Sequence, residues 1–344
     1  MSLFKKNKKF FSWLLLLVLI LAGLWYFFKV DRHFLTYRPD LATDQVWGIT
    51  YSKLYAQELG LDWRQAYLAM LDDLQIKNIR LPVYWSDIEP IEGKMDYANY
   101  DWMISEGQKR GVKFIVVVGR RQPRWPECHT PQWATTLSEQ TIRDRELSMI
   151  TATVKHFQTS TAITSWQAEN EHFVDWFGIC PKGDKEYLKN VVARIRQIDP
   201  QRDILLTDSG EFSTWKQVSD LSPTIGTTMY RVAWNQYLGY TYTPWPAWLY
   251  RFKAHWRQIA PEKMIIAELQ AEPWPAEGRQ VRDLTVTEIN QSFPLKQLLT
   301  NAELARRTGF AATYFWGAEW WYVRLLQGDA TYWETVKTII KPVL

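Results

Sequence analysis

From residue 45 onward, short apolar runs recur along the chain, and each is followed by a longer stretch in which apolar positions return at helical spacing. The short runs are 46–50, 78–83, 113–118, 163–168, 203–207, 226–230, 263–267 and 310–316. Their length and composition predict strands. The amphipathic stretches between them, 63–74, 97–110, 139–156, 185–198, 245–259 and 295–308, predict helices. Eight strands with intervening helices in about 300 residues is the count of an α/β protein built as a (β/α)8 TIM barrel. A doubly wound open sheet is the competing arrangement. It is disfavoured because Val46-Trp47-Gly48-Ile49-Thr50 leads into Tyr51 and Ser52 rather than into a glycine-rich phosphate loop.

The N-terminus follows another pattern. Residues 10–28, Phe10 to Phe28, are free of charge and almost wholly apolar. As a helix rising about 1.5 Å per residue, such a run crosses the roughly 30 Å hydrocarbon layer of a bilayer once. Lys5, Lys6, Lys8 and Lys9 precede it, and the cytoplasmic bias of basic residues sets the orientation. The expected organisation is a basic cytoplasmic tail (1–9), a single transmembrane helix (10–28), a linker (29–44) and an extracytoplasmic catalytic domain (45–344) held at the cell membrane. A cleaved signal peptide competes with the anchor, although no small-x-small cleavage site follows the run. Lipid attachment is disfavoured because Leu24 stands after Leu21-Ala22-Gly23, where a lipidated cysteine belongs.

The formal charge of +4 belongs to this N-terminal region. Residues 1–39 hold seven of the 41 basic side chains and one of the 37 acidic ones, leaving 34 basic and 36 acidic beyond them. A near-neutral outer domain has no face for neutralising phosphates, so nucleic acid is excluded as a partner. The two cysteines, Cys128 and Cys180, fall in loops placed at the same end of the barrel. An oxidising compartment permits them to pair, and two free thiols are the alternative. Neither Cys-x-x-Cys nor His-Glu-x-x-His spacing occurs, so no metal is expected, and no organic cofactor either. Oligomeric state is left open.

In a (β/α)8 barrel the chemistry gathers at the C-terminal strand ends. Here those ends bring Arg80 (second strand), Asn170-Glu171 (fourth), Tyr230 (sixth), Glu268 (seventh) and Trp316 (eighth) to one rim. Hydrolysing an acetal needs one carboxylic acid to protonate the departing oxygen and one carboxylate to stabilise or capture the oxocarbenium-like centre. Glutamates on strands four and seven can face each other across the mouth. Glu169 shares strand parity with Glu171, and Glu272 lies just beyond Glu268, so each is a rival for its neighbour's role. Arg80 and Tyr230 have structural alternatives as a barrel ion-pair partner and a core filler. Arg120 and Arg121 suit an acidic sugar or a structural ion pair equally. Glu319 suits either a sugar hydroxyl or solvent, and His172 either the site or a structural hydrogen bond. Of the many loop tryptophans, Trp316 is the expected sugar platform, since flat aromatic faces cover the C–H faces of sugar rings.

This set of strand ends resembles that of the clan A retaining glycoside hydrolases, particularly their cellulase-like members. Tyr84-Trp85-Ser86-Asp87-Ile88-Glu89-Pro90-Ile91-Glu92-Gly93 is similar to the second-strand loop of β-glycosidases and β-galactosidases in that clan. The resemblance runs from Trp47 to about Trp321. It implies that Glu171 is the acid/base and Glu268 the nucleophile, that Asn170 bonds the sugar 2-hydroxyl, and that Arg80 and Tyr230 orient Glu268 and keep it ionised. It further implies hydrolysis of O-glycosidic bonds in β-linked oligo- or polysaccharides. Transglycosylation by the same residues and a silent, membrane-tethered carbohydrate-binding protein are the alternatives, with an envelope structural protein behind them.

Overall fold

The computed structural model describes residues 2–29, 45–276 and 279–341, and within the first segment the side chains of residues 10–25. Eight parallel strands close into a barrel: β1 (Val46–Thr50), β2 (Asn78–Pro82), β3 (Lys113–Val118), β4 (Ile163–Ala168), β5 (Asp203–Asp208), β6 (Thr224–Met229), β9 (Met264–Gln270) and β10 (Ala312–Trp316). β1 closes the ring by pairing with both β2 and β10. The remaining strands, β7 (Val232–Asn235) and β8 (Gly239–Tyr242), form an antiparallel hairpin in the loop after β6. That hairpin was not expected from the sequence.

All eight expected barrel strands are present; 46–50, 113–118 and 163–168 fall as expected, and the other five have ends displaced by one to three residues. They close because their side chains are buried on both faces, as parallel sheets sheathed in helices require. All seven residues of β9 are buried, and in β3 only Lys113 is exposed. One face of each strand packs outward on helices. The other supplies a smaller cluster, Ile115, Leu205, Ile265, Ala267, Ala312 and Tyr314, which lies apart from the large outer core. Capping side chains set two of the helix starts beside the site. Ser138 accepts from the Thr141 N–H before the helix Glu139–Phe157, and Asp184 from the Glu186 and Tyr187 N–H groups before Lys185–Ile198.

The N-terminal segment is helical over Ser2–Lys29, and its large apolar side chains from Phe10 to Trp25 are exposed. Among the described residues no helix is long and apolar enough to cross a membrane. The side chains of the expected span beyond residue 25, and residues 30–44 of the expected linker, lie outside what is described.

Candidate active site

The site is assembled around one buried guanidinium. Arg80, on β2, is wholly buried, and its donors fan out to three other barrel strands or their ends. Nε donates to Gln167 Oε1 at 2.7 Å, Nη2 to Asn170 Oδ1 at 2.6 Å, and Nη1 to Thr50 Oγ1 at 3.3 Å and Glu268 Oε1 at 2.9 Å. A buried charge is tolerated only when paired and hydrogen-bonded. Glu268 supplies the charge, while the amide and hydroxyl oxygens satisfy the other donors.

Glu268 faces the lumen because β9 carries an extra residue. Against β6 the register steps from Thr227↔Ile266 to Thr228↔Glu268, and against β10 from Thr313↔Ile266 to Phe315↔Leu269. Such a bulge breaks strict alternation. Ala267 lies with the inner cluster, so a regular strand would turn residue 268 outward; the bulge turns it inward instead. Glu268 is almost completely buried, and its Oε2 accepts the Tyr230 hydroxyl at 2.9 Å. Tyr230 is itself fixed from behind: its N–H donates to Glu211 Oε1, which also accepts the Tyr250 hydroxyl, while Gln270 Oε1 holds the N–H groups of Arg231 and Val232.

The end of β4 departs from strand geometry immediately after Ala168. Glu169 and Glu171 both adopt left-handed backbone, with φ of 58° and 43°, a conformation costly for residues other than glycine. The shared parity that made them rivals therefore does not operate. Glu169 turns away and accepts the N–H groups of Arg120 and Arg121, each at 3.0 Å. Gly119 makes this possible, since a Cβ there would stand 2.1 Å from Glu169 Oε1. Asn170 stays in the lumen, where its Oδ1 also accepts from Gln167 and Thr207. Glu171 is half-buried, its N–H held by Thr207 Oγ1 at 2.9 Å. Burial, reinforced by repulsion from Glu268 and Glu127, holds its carboxyl well above the ordinary range.

The other rivals are engaged elsewhere. Glu272 forms a buried ion pair with Arg124, and Glu319, fully buried rather than solvent-facing, accepts from Arg124 and the Ser52 N–H. Arg120 pairs with Glu139, and Arg121 donates to the carbonyls of Val174 and Phe177, so both serve the protein's own architecture. His172 bonds the Asp184 backbone. Trp316 lies nearly buried at the end of β10 with the Arg124 guanidinium 4.0 Å from its ring centre, and Arg124 in turn covers Tyr55 at 3.6 Å. Cys128 and Cys180 are joined, with Cα atoms 5.3 Å apart, tying the loop after β3 to the loop after β4. Among the described residues no group of His, Cys, Asp or Glu is arranged to hold a metal ion.

Several contributors escape sequence reasoning. Gln167 is the most visible afterwards, as a polar side chain inside a buried strand. Thr207, Glu211 and Arg124 are indistinguishable in sequence from ordinary loop and strand-end residues. Glu127 stands beside a cysteine in the loop after β3. In the fold it is nearly fully buried, with Oε2 accepting from Asn170 Nδ2 at 3.3 Å.

No protein-family model matches the sequence, and no curated protein matches it. Solved structures do. A β-galactosidase from the psychrophilic Marinomonas ef1 superposes with a TM-score of 0.55 at 13% identity, covering 79% of this chain and 54% of its own. Xylanase 10B from Thermotoga petrophila gives 0.52 at 12% identity, covering 81% and 84%. A family 10 endo-β-1,4-xylanase from Gloeophyllum trabeum gives 0.56 at 13% identity, covering 88% and 98%. The chain thus has the (β/α)8 barrel that these glycoside hydrolases share. It spans about half the length of the β-galactosidases it matches.

Proposed function

We propose that this chain is a glycosidase that cleaves O-glycosidic bonds of β-linked oligo- or polysaccharides with retention of configuration. The observation that carries the reading is the pairing of Glu268, held between the Arg80 guanidinium and the Tyr230 hydroxyl, with a second carboxyl, Glu171, whose surroundings favour its protonated form. Two carboxyl groups in contrasting environments are what acid-assisted displacement at an acetal uses.

In this reading the Glu171 carboxyl protonates the departing glycosidic oxygen while a Glu268 oxygen attacks the anomeric carbon. The leaving alcohol departs and a glycosyl ester of Glu268 forms. Glu171, now a carboxylate, takes a proton from water as that water attacks the same carbon, freeing the sugar and restoring both groups. Arg80 and the Tyr230 hydroxyl hold Glu268 in place for attack and stabilise it again as leaving group. Asn170, with Oδ1 anchored by Arg80 and one Nδ2 hydrogen given to Glu127, has its second Nδ2 hydrogen left for the group at sugar C2. Trp316 supplies an apolar wall.

The test is hydrolysis of aryl β-glycosides and of β-glucan, mannan, xylan and galactan oligosaccharides by the full chain beside Glu268→Gln. Turnover abolished by the substitution upholds the reading. Sugar binding without turnover in the parent would replace it with a silent carbohydrate-binding protein, and transfer to added sugar acceptors in preference to water would make it a transglycosylase.

We further infer that the helix Ser2–Lys29 holds the barrel at the outer face of the cell membrane. The four lysines before the apolar run and the exposed apolar side chains of residues 10–25 support this. Release of the barrel into the soluble fraction by protease added outside intact cells is the expected result, and a soluble cytosolic full-length chain would refute it.

A further inference from the structure

A third carboxyl lies beside the proposed pair and has no part in the steps above. Glu127 is 4% exposed. Its Oε2 accepts from Asn170 Nδ2, whereas its Oε1 makes no hydrogen bond or ion pair with any described residue. The loop is built to put it there. Arg124 and Glu127 adopt left-handed backbone, with φ of 83° and 70°. The Glu127 N–H donates to Arg124 O and its carbonyl accepts from Gln122 N. The next residue is locked to Cys180 by the disulfide. In the loop after β4, Gly178 leaves room that no other residue would, since a Cβ there would lie 2.6 Å from Glu127 Cβ.

This placement is unfavourable for the protein alone. Burial and the nearby Glu268 push the Glu127 carboxyl up to about 8. Arg80 and Arg121 are close enough to moderate the effect, but neither donates to it: Arg80 is committed to Glu268, Asn170, Gln167 and Thr50, and Arg121 Nη2 to two backbone carbonyls. Glu127, Glu171 and Glu268 therefore share one site with two guanidinium groups nearby, Arg121 and Arg80, neither of which donates to Glu127. A buried carboxyl with one oxygen unfilled either keeps its proton or takes a donor from a ligand, which makes it a candidate binding residue.

We propose that Glu127 is a specificity-determining residue that selects a sugar bearing a free protonated amine at C2, a 2-amino-2-deoxy sugar, in the subsite between Glu171 and Glu268. The inference rests on the glycosidase reading, because Asn170, the residue touching Glu127, is there placed beside sugar C2; an ammonium at C2 has no lone pair for the Asn170 Nδ2 hydrogen and would donate to Glu127 instead. An ammonium at C2 brings a positive charge and three donors to the open Oε1. A hydroxyl brings one neutral donor, and an acetamide brings bulk and a carbonyl that repels a carboxylate.

The test uses three β-1,4-linked tetrasaccharides that differ only at C2: those of glucosamine, N-acetylglucosamine and glucose. For the parent chain kcat/KM is expected to favour the glucosamine oligomer over the glucose oligomer by about 10–100-fold, the range of one charge-assisted hydrogen bond. Glu127→Gln should collapse that ratio toward one, while Glu127→Asp, which keeps the charge, should retain part of it. A parent that prefers the glucose or acetylated oligomer overturns the proposal, as does a ratio unchanged in a folded Glu127→Gln chain. Calorimetric binding of the same oligomers to Glu268→Gln, with and without Glu127→Gln, separates the two readings. A glucosamine preference that depends on Glu127 in a chain whose parent turns nothing over sinks the glycosidase reading and keeps this one. Turnover without such a preference does the reverse, and no binding of any oligomer overturns this proposal outright.

Discussion

The buried carboxyl of Glu127 makes a prediction that needs no substrate. Its pKa rises on folding from the ordinary 4.5 to about 8, so between those values the folded chain holds a proton that the unfolded chain releases. The sign follows from linkage: stability is greatest below 4.5 and is lost as pH rises toward 8, by about 1.4 kcal/mol per pH unit. Roughly 3 kcal/mol should disappear between about pH 5 and pH 7 from this group alone. Glu127→Gln keeps the shape and removes the titration. Other groups titrate in both chains, so the informative quantity is the gap in Tm between variant and parent, followed by calorimetry across that range. At roughly 2–4 °C per kcal/mol for a domain of a couple of hundred residues or more, the gap should move in favour of the variant by about 5–10 °C. A gap that stays constant from acid to neutral pH would mean that Glu127 is not held uncompensated against Glu268, and the reasoning about its surroundings would fail.

Other perturbations address the remaining parts of the site. Tyr230→Phe removes one hydrogen bond to the Glu268 carboxyl and should lower kcat/KM by about 10–100-fold with little change in Tm; an unimpaired variant would show that Glu268 is not oriented by it. Glu171→Gln should abolish the alkaline limb of the pH–rate profile, because the parent loses its acid form as pH rises through the raised Glu171 value. A limb that persists would assign it to another group. Replacing both Cys128 and Cys180 by Ser opens a link between residues 52 apart. By loop-closure entropy this should cost up to about 4 kcal/mol, measurable as a lower midpoint in urea; an unchanged midpoint would show that the two loops are held by their packing alone.

How much of this was readable beforehand depended on whether the cause lay in local pattern or in approach through space. The eight strands were readable because burial on both faces leaves runs such as Phe114–Val118 and Ile265–Ile266 without polar interruption. The β7–β8 hairpin was not, since its strands, Val-Ala-Trp-Asn and Gly-Tyr-Thr-Tyr, are four residues each and too short to set a period. Arg80, Asn170 and Glu268 could be named because charge ending a buried strand has few structural uses. Choosing Glu268 by its position at the end of the apolar run led to a lumen-facing residue only because of a bulge that the sequence does not announce. Parity misdescribed the end of β4, because Glu169 and Glu171 leave strand geometry. Glu127 and Arg124 sit in a loop whose path is set by a disulfide, left-handed residues and a distant glycine, and nothing local marks them.

The Arg80 hub makes the floor of the site a property of the ring rather than of its loops. One planar cation is pinned to β1, to β4 and its end, and to β9, so the distances among Asn170, Gln167 and Glu268 follow the barrel's diameter, like spokes cut to one wheel. Above that floor the hairpin after β6 is tied to it only at its base, where Gln270 bonds Arg231 and Val232 beside Tyr230, so its tip is free of those contacts. New specificities on this scaffold should therefore come from rewriting the rim, whereas even a small change in how the strands close would disturb every spoke at once.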